Sequence, residues 1–202
     1  MSGSRKAANR AVFLDRDGTL VREVTYLREV SRLRLLPGAA QALRRLNEAG
    51  LLVLLVTNQS GIARGFFTIE DFDEIQAELG RRLARRGAWL DATYFCPHHV
   101  EGKIRRLRRK CGCRKPGTGM LKQAAKDFEL DLGRCVFVGD KLLDLETAAR
   151  AGCRSVLVLT GYGGETASEL RLSRRKADHI APGLAEAVDW ILHQEKARRP
   201  RG

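Results

Sequence analysis

The sequence predicts an α/β domain, a doubly wound and mostly parallel sheet with helices on both faces. Three observations carry this. Five short runs, 11–15, 51–57, 92–96, 135–139 and 155–160, are almost continuously apolar, as strands buried on both faces are. Segments of helical period alternate with them. The strand-like runs also end on polar residues: Asp15 and Asp17, Thr57 to Gln59, and Gly139 to Lys141. Open α/β sheets bind ligands at that carboxyl edge.

Taken in order, "AVFLD" is the first strand, stopped by Gly18 and Thr19. Pro37 opens and Gly50 closes a helix over 37–50, with Ala39, Ala40, Leu43 and Leu46 on one face. "LLVLLVT" follows as the second strand. Thr68 with Asp71 makes a capping-box start for a helix over 68–86, whose stripe is Phe72, Ile75, Leu79 and Leu83. "ATYFC" is the third strand, and Leu121, Ala124, Ala125 and Phe128 mark a helix over 118–129. "CVFVG", a helix at about 143–151, "SVLVLT" and a last helix over 183–195 complete the alternation. Leu184, Ala187, Val188, Ile191 and Leu192 give that last helix its apolar face. The intervals before the second and third strands hold one helix each and a short flap, leaving no room for a separate cap domain. One domain over 1–202 is expected, its tail from about 196 to 202 disordered.

The chain has 202 residues, 44% of them apolar and 30% charged, as in globular proteins. No run approaches the roughly 18 apolar residues of a membrane span. The N-terminus is basic, but the apolar run after it breaks at Asp15, a poor signal peptide, so a cytoplasmic location is expected. Net charge is +13, which attracts anions without specifying a fold. Nucleic acid and a small phosphorylated substrate are the partners this admits. Five cysteines without an export signal argue against a disulfide framework. No large apolar stripe is left over, which points to a monomer.

Asp15, Asp17 and Asp140 at one edge repel one another unless a cation sits among them, and oxygen ligands of this kind suit Mg²⁺. A mere turn at Asp15 and Asp17 explains neither the other strand ends nor Lys115. The segment "CPHHVEGKIRRLRRKCGC", residues 96–113, supplies a second ligand set. Cys96, His98, Cys111 and Cys113 have the number and type of a closed tetrahedral Zn²⁺ site, with His99 the alternative imidazole. Four protein ligands leave no place for a catalytic water, so this zinc is structural and fixes Arg114 and Lys115, which follow at once. Lys103, Arg105, Arg106, Arg108, Arg109 and Lys110 form either a lip that attracts anions or a solvated run.

"FLDRDGTL" resembles the D-x-D-G-T motif of the haloacid dehalogenase superfamily of phosphohydrolases. Thr57 resembles the second motif, Lys115 in "CRKPG" the third, and "VGDKLLD" at 138–144 the fourth. The resemblance implies a Rossmann-like fold and a set of roles. Asp15 would attack phosphorus and form an aspartyl-phosphate. Asp17 would serve as acid and then base. Asp15, the carbonyl of Asp17 and Asp140 would hold Mg²⁺, and Thr57 and Lys115 would hold phosphoryl oxygens. Asp144 is read either as a residue orienting a ligand or as a first-turn residue at a helix dipole.

The zinc loop before "RKP", with "TNQSGIARGFFT" at 57–68, is similar to the histidinol-phosphatase-like branch and most like its heptose-bisphosphate phosphatases. "RKPGTGM" departs from them in lacking a second proline before Gly-Met. The resemblance implies that Glu23, Val24, Thr25, Tyr26, Asn58, Gln59, Ser60 and Arg114 contact a sugar. It implies Mg²⁺-dependent removal of the 7-phosphate of a heptose 1,7-bisphosphate for surface-glycan synthesis, with histidinol phosphate as the alternative substrate. A nucleic-acid 3′-phosphatase or a basic zinc module for nucleic acid are the rivals. Against both, aromatic residues are only 6%, and none interleaves with the loop cations as a stacking platform requires.

Overall fold

The computed structural model describes residues 9–198. Its centre is set by β1 (Ala11–Leu14), four apolar residues with neighbours on both sides and no exposed member. β1 pairs in parallel with β2 (Leu52–Asn58) and with β4 (Val136–Gly139), so that Phe13 stands beside both Leu54 and Phe137. Outward from these lie β3 (Ala92–Cys96) on one side, then β5 (Arg154–Val158) and β6 (His179–Ala181) on the other. The order β3-β2-β1-β4-β5-β6 is parallel throughout and reverses direction between β1 and β4. A crevice forms at the carboxyl ends of the strands where winding reverses.

Successive side chains of β1 point to opposite faces. Val12 and Leu14 join a core closed by α1 (Ala39–Glu48), α3 (Ile69–Ala84) and α7 (Leu184–Arg198). Ala11 and Phe13 join a core under α4 (Gly119–Asp127) and α5 (Leu142–Ala151). The helices foreseen from their apolar stripes therefore sit where those stripes can be buried. The capping box foreseen at Thr68 forms: the Asp71 amide donates to the Thr68 hydroxyl at 3.1 Å, and the Thr68 amide donates to the Asp71 carboxylate at 2.7 Å.

Three elements escape sequence pattern. α2 (Ser60–Ala63) is a single turn, and α6 (Gly163–Arg171) opens on two glycines and buries little beyond Thr166 and Leu170. β6 has three residues, one of them exposed, too few to show a period. Among the described residues the sheet has six strands, all parallel: the five foreseen runs and β6. α7 runs to Arg198, so residues 196–198 are helical, where an unstructured tail was expected; residues 199–202 lie outside the described part. The segment between β1 and α1 is a flap tied down by single bridges from Val21 to Asp17 and to Leu35. Among the described residues no helix is long and apolar enough to cross a membrane.

Thr68→Ala removes one half of the capping box and is expected to cost about 1 kcal/mol in urea unfolding.

Candidate active site

The carboxyl ends of β1, β2 and β4 bring the foreseen residues together. Asp15 follows β1 directly, its amide donating to the Val138 carbonyl at 3.0 Å, and Asp140 follows β4. Asp144 enters from the first turn of α5. All three are buried, with carboxylate oxygens within 4.8 Å of one another. The buried ammonium of Lys115 lies among them, 2.7 Å from Asp15 Oδ1 and 2.6 Å from Asp144 Oδ1. It also donates to the Val56 carbonyl at 3.0 Å. Burial alone disfavours this charge, but Asp144 and Asp15 outweigh it and raise the Lys115 pKa.

Asp140 is the least compensated member. Its Oδ2 accepts from the Tyr162 amide at 2.9 Å, while its buried Oδ1 has no hydrogen-bond partner. Burial first, then the Asp15 charge, push its pKa up to about 7. Asp144 rises to about 6 through burial, with Lys115 pulling the other way. Two glycines in left-handed conformation press on the Asp140 carboxylate, Gly18 with φ +88° and Gly161 with φ +57°. A Cβ on either would fall on that carboxylate. An orphaned oxygen among three carboxylates fits a hard divalent cation such as Mg²⁺.

The Asp17 carboxylate stands outside this group. Arg16, 1% exposed, donates to it through Nε at 3.1 Å and Nη2 at 2.9 Å, and Gln59 Nε2 adds a bond at 3.1 Å. Arg16 is itself held by Gln76 Oε1 at 3.3 Å and lies over the Phe72 ring. Gln59 Nε2 also donates to the buried Thr57 hydroxyl at 2.8 Å. Asn58 clamps the backbone of Lys115, accepting from its amide at 3.0 Å and donating to its carbonyl at 3.1 Å.

A cavity of about 260 Å³ opens over this edge, with Asp140 and Asp144 behind its lining. Asp15, Asp17, Thr57 and Lys115 lie on its wall, as do all the residues read as sugar contacts: Glu23, Val24, Thr25, Tyr26, Asn58, Gln59, Ser60 and Arg114. Tyr26, at φ +54°, is steadied by the Phe66 ring, with centroids 4.5 Å apart. Arg16, Lys141, Leu143 and Tyr162 line it too and were not foreseen. Lys141 Nζ pairs with Glu23 at 2.7 Å and lies over Tyr162. Lys141 and Arg16 sit inside motifs that sequence reading did quote. Tyr162 follows a strand with no polar signal at its end.

The cysteine loop also closes on itself. Cys96, Cys111 and Cys113 place their sulfurs 3.2–3.5 Å apart, and His98 Nδ1 is 3.3 Å from Cys113 Sγ. All are free thiols. Zinc–sulfur bonds of about 2.3 Å imply tetrahedral edges near 3.8 Å, a little wider than these separations, and the number and type of donors fit Zn²⁺. Burial, then Arg109, lower the His98 pKa and favour the neutral ring that ligates metals. His99 lies outside the group, within 3.4 Å of Arg64 and accepting from the Glu101 amide.

Asp144→Ala would leave Lys115 with one carboxylate in a dry site. A loss of about 3–5 kcal/mol is expected in urea unfolding, against little change for the exposed Glu48→Ala.

Comparison with known proteins places this arrangement. A family model described as HAD-hydrolase-like matches residues 112–187. The chain is 45% identical over 185 residues to the D-glycero-D-manno-heptose-1,7-bisphosphate 7-phosphatase of Thermosynechococcus vestitus, covering 90% of this chain and 94% of that one. With the Escherichia coli K12 enzyme named D-glycero-beta-D-manno-heptose-1,7-bisphosphate 7-phosphatase, identity is 38%, over 91% and 88% of the two chains. The crystal structure of the D,D-heptose 1,7-bisphosphate phosphatase from B. bronchiseptica, complexed with magnesium and phosphate, superposes with a TM-score of 0.82. There identity is 34%, covering 92% of this chain and 99% of that one. With four motifs on one edge and relatives matched over nearly their whole length, the chain belongs to the heptose-1,7-bisphosphate 7-phosphatase family of HAD-like hydrolases.

Proposed function

We propose that this protein is a Mg²⁺-dependent phosphatase that removes the 7-phosphate of D-glycero-D-manno-heptose 1,7-bisphosphate. One observation carries the reading: Asp15 at the floor of the cavity, paired with Lys115 at 2.7 Å beside the unpartnered oxygen of Asp140. The Asp15 carboxylate attacks phosphorus, forming a P–O bond as the bond to the sugar oxygen breaks. Asp17, protonated at that moment, gives its proton to the leaving alkoxide. It then takes a proton from water, which displaces Asp15 and releases inorganic phosphate. Arg16 and Gln59 fix the direction of the Asp17 carboxylate. The Thr57 hydroxyl and the Lys115 ammonium donate to phosphoryl oxygens.

Asp15, the Asp17 carbonyl and Asp140 would hold Mg²⁺, which screens the carboxylate from the incoming phosphate. Asp144 keeps Lys115 aimed at Asp15. Zn²⁺ on Cys96, His98, Cys111 and Cys113, with no open position, is structural and ties the loop directly before Arg114 and Lys115. Glu23 to Tyr26, Asn58 to Ser60 and Arg114 face the sugar. The reading takes residues 1–202 as one domain acting as a cytoplasmic monomer on a small phosphorylated sugar.

Asp15→Asn should lower phosphate release from the heptose bisphosphate by at least about 10⁴-fold, with an unchanged melting curve. A preference for histidinol phosphate or for a 3′-phosphorylated oligonucleotide in the same assay would overturn the substrate.

Stripping the loop metal with a chelator and then restoring Mg²⁺ should abolish most activity while the far-UV circular dichroism is kept. Full activity after verified zinc loss would separate the loop from catalysis.

A further inference from the structure

We propose a second anion site, for a phosphoryl group, on the outer side of the wall formed by Arg114 and Lys115. A cavity of about 430 Å³ lies there, between the cysteine loop, the turn before α4 and the end of α5. Besides Lys115, whose ammonium is spent on Asp15 and Asp144, four cations line it, Arg109, Lys110, Arg114 and Arg150, and no carboxylate does. It is separate from the catalytic cavity, whose floor carries Asp15 and Asp17.

The four cations are poorly compensated. Arg109 gives one contact to the uncharged His98 Nε2 at 2.7 Å, and Arg114 one bond to the His98 carbonyl at 3.4 Å. Arg150 donates to the Pro116 carbonyl at 3.4 Å and reaches Glu146 only at 3.7 Å. Lys110 has no partner among the described residues. A guanidinium has five N–H donors, so most of the donors around this cavity are unspent. Like charges gathered around one concavity attract an anion for the reason that carboxylates attract a cation. Arginine forks match a tetrahedral oxyanion through paired, charge-assisted bonds. The exposed Lys103, Arg105, Arg106 and Arg108 add to the field outside the cavity.

Inorganic phosphate and a nucleotide share this chemistry. The test uses the full chain dialysed free of magnesium, when unscreened carboxylates make the catalytic edge repel phosphate. Inorganic phosphate is titrated at low ionic strength and followed by ³¹P line width. Saturable binding of one phosphate per chain is expected. Lys110→Gln with Arg150→Gln, both on exposed side chains, should weaken it at least about tenfold with the melting curve unchanged. Glu146→Gln, which removes the acid near Arg150, should tighten it. Adenosine diphosphate in a parallel titration identifies the source: tighter binding marks a nucleotide, equal or weaker binding marks phosphate itself. No saturable binding in the wild type, or equal affinity in the double variant, overturns the site. Neither result bears on catalysis, since magnesium and substrate are absent.

Discussion

An ammonium buried between two carboxylates is the constraint around which this molecule is organised. Lys115 reaches Asp15 and Asp144 at under 3 Å with almost no water contact. Such a group is costly unless every charge is matched, because desolvation can exceed the attraction of a pair. Its carriers come from the end of β1, the first turn of α5 and the loop before α4, elements far apart in sequence. The parallel order with β1 and β4 adjacent brings them to one edge. Asn58, at the end of β2, then holds the Lys115 backbone from both sides, so the lysine cannot slide along the groove. Phe137 of β4 lies beneath its Nζ, 5.4 Å from the ring centroid. A core residue thereby closes the site from below.

The cysteine loop belongs to the same constraint. Cys113 is two residues before Lys115, and Cys111 and Cys113 sit within 3.5 Å of Cys96 at the end of β3. A loop of some twenty charged and glycine-rich residues has little apolar surface to order it. Gathering its two ends at β3 fixes the approach to Lys115 and also the direction of Arg114, which lines the cavity. Soft sulfur and imidazole donors gather at the outer end and hard carboxylates at the inner end, two donor sets that suit different cations.

Much of this was legible because like charges at strand tips are hard to explain otherwise. "DRD" after an apolar run and "GDK" after another point to one edge once the sheet is parallel. The four sulfur and nitrogen donors were legible from type and spacing, but the choice between His98 and His99 is made in three dimensions: Arg64 and Glu101 occupy His99. Arg16 lies inside the quoted motif, but nothing in its local pattern marks it as a buried partner of Asp17. Its burial against Phe72 and Gln76 depends on α3, which no local pattern reveals. The loop from Thr160 to Tyr162 was invisible for a different reason. It contributes the Tyr162 amide and ring, the Thr160 hydroxyl, which donates to the Gly18 carbonyl at 2.6 Å, and a glycine, residue types common in any turn. β6 and α6 are short elements whose existence rests on packing against β5 rather than on their own period.

The charge of the chain acquires a meaning once the interior is known. A net +13 surrounds a floor of three buried carboxylates. A doubly phosphorylated substrate would be drawn by the outer field and repelled by the bare floor, so long-range attraction alone cannot seat it. Arg16, Lys115 and Lys141 stand between the two regimes, each already bonded to an acid: Asp17, Asp15 with Asp144, and Glu23. A cation so paired presents less charge to an incoming anion than a free one. Among the described residues Arg114 on the cavity wall has no acid partner, and further cations without one lie on the loop from Lys103 to Lys110. Surface charge acts at long range, whereas the buried pairs act only on what has entered the cavity. The two properties reside in different residues and can vary independently, which is how a chain this basic keeps an acidic catalytic edge.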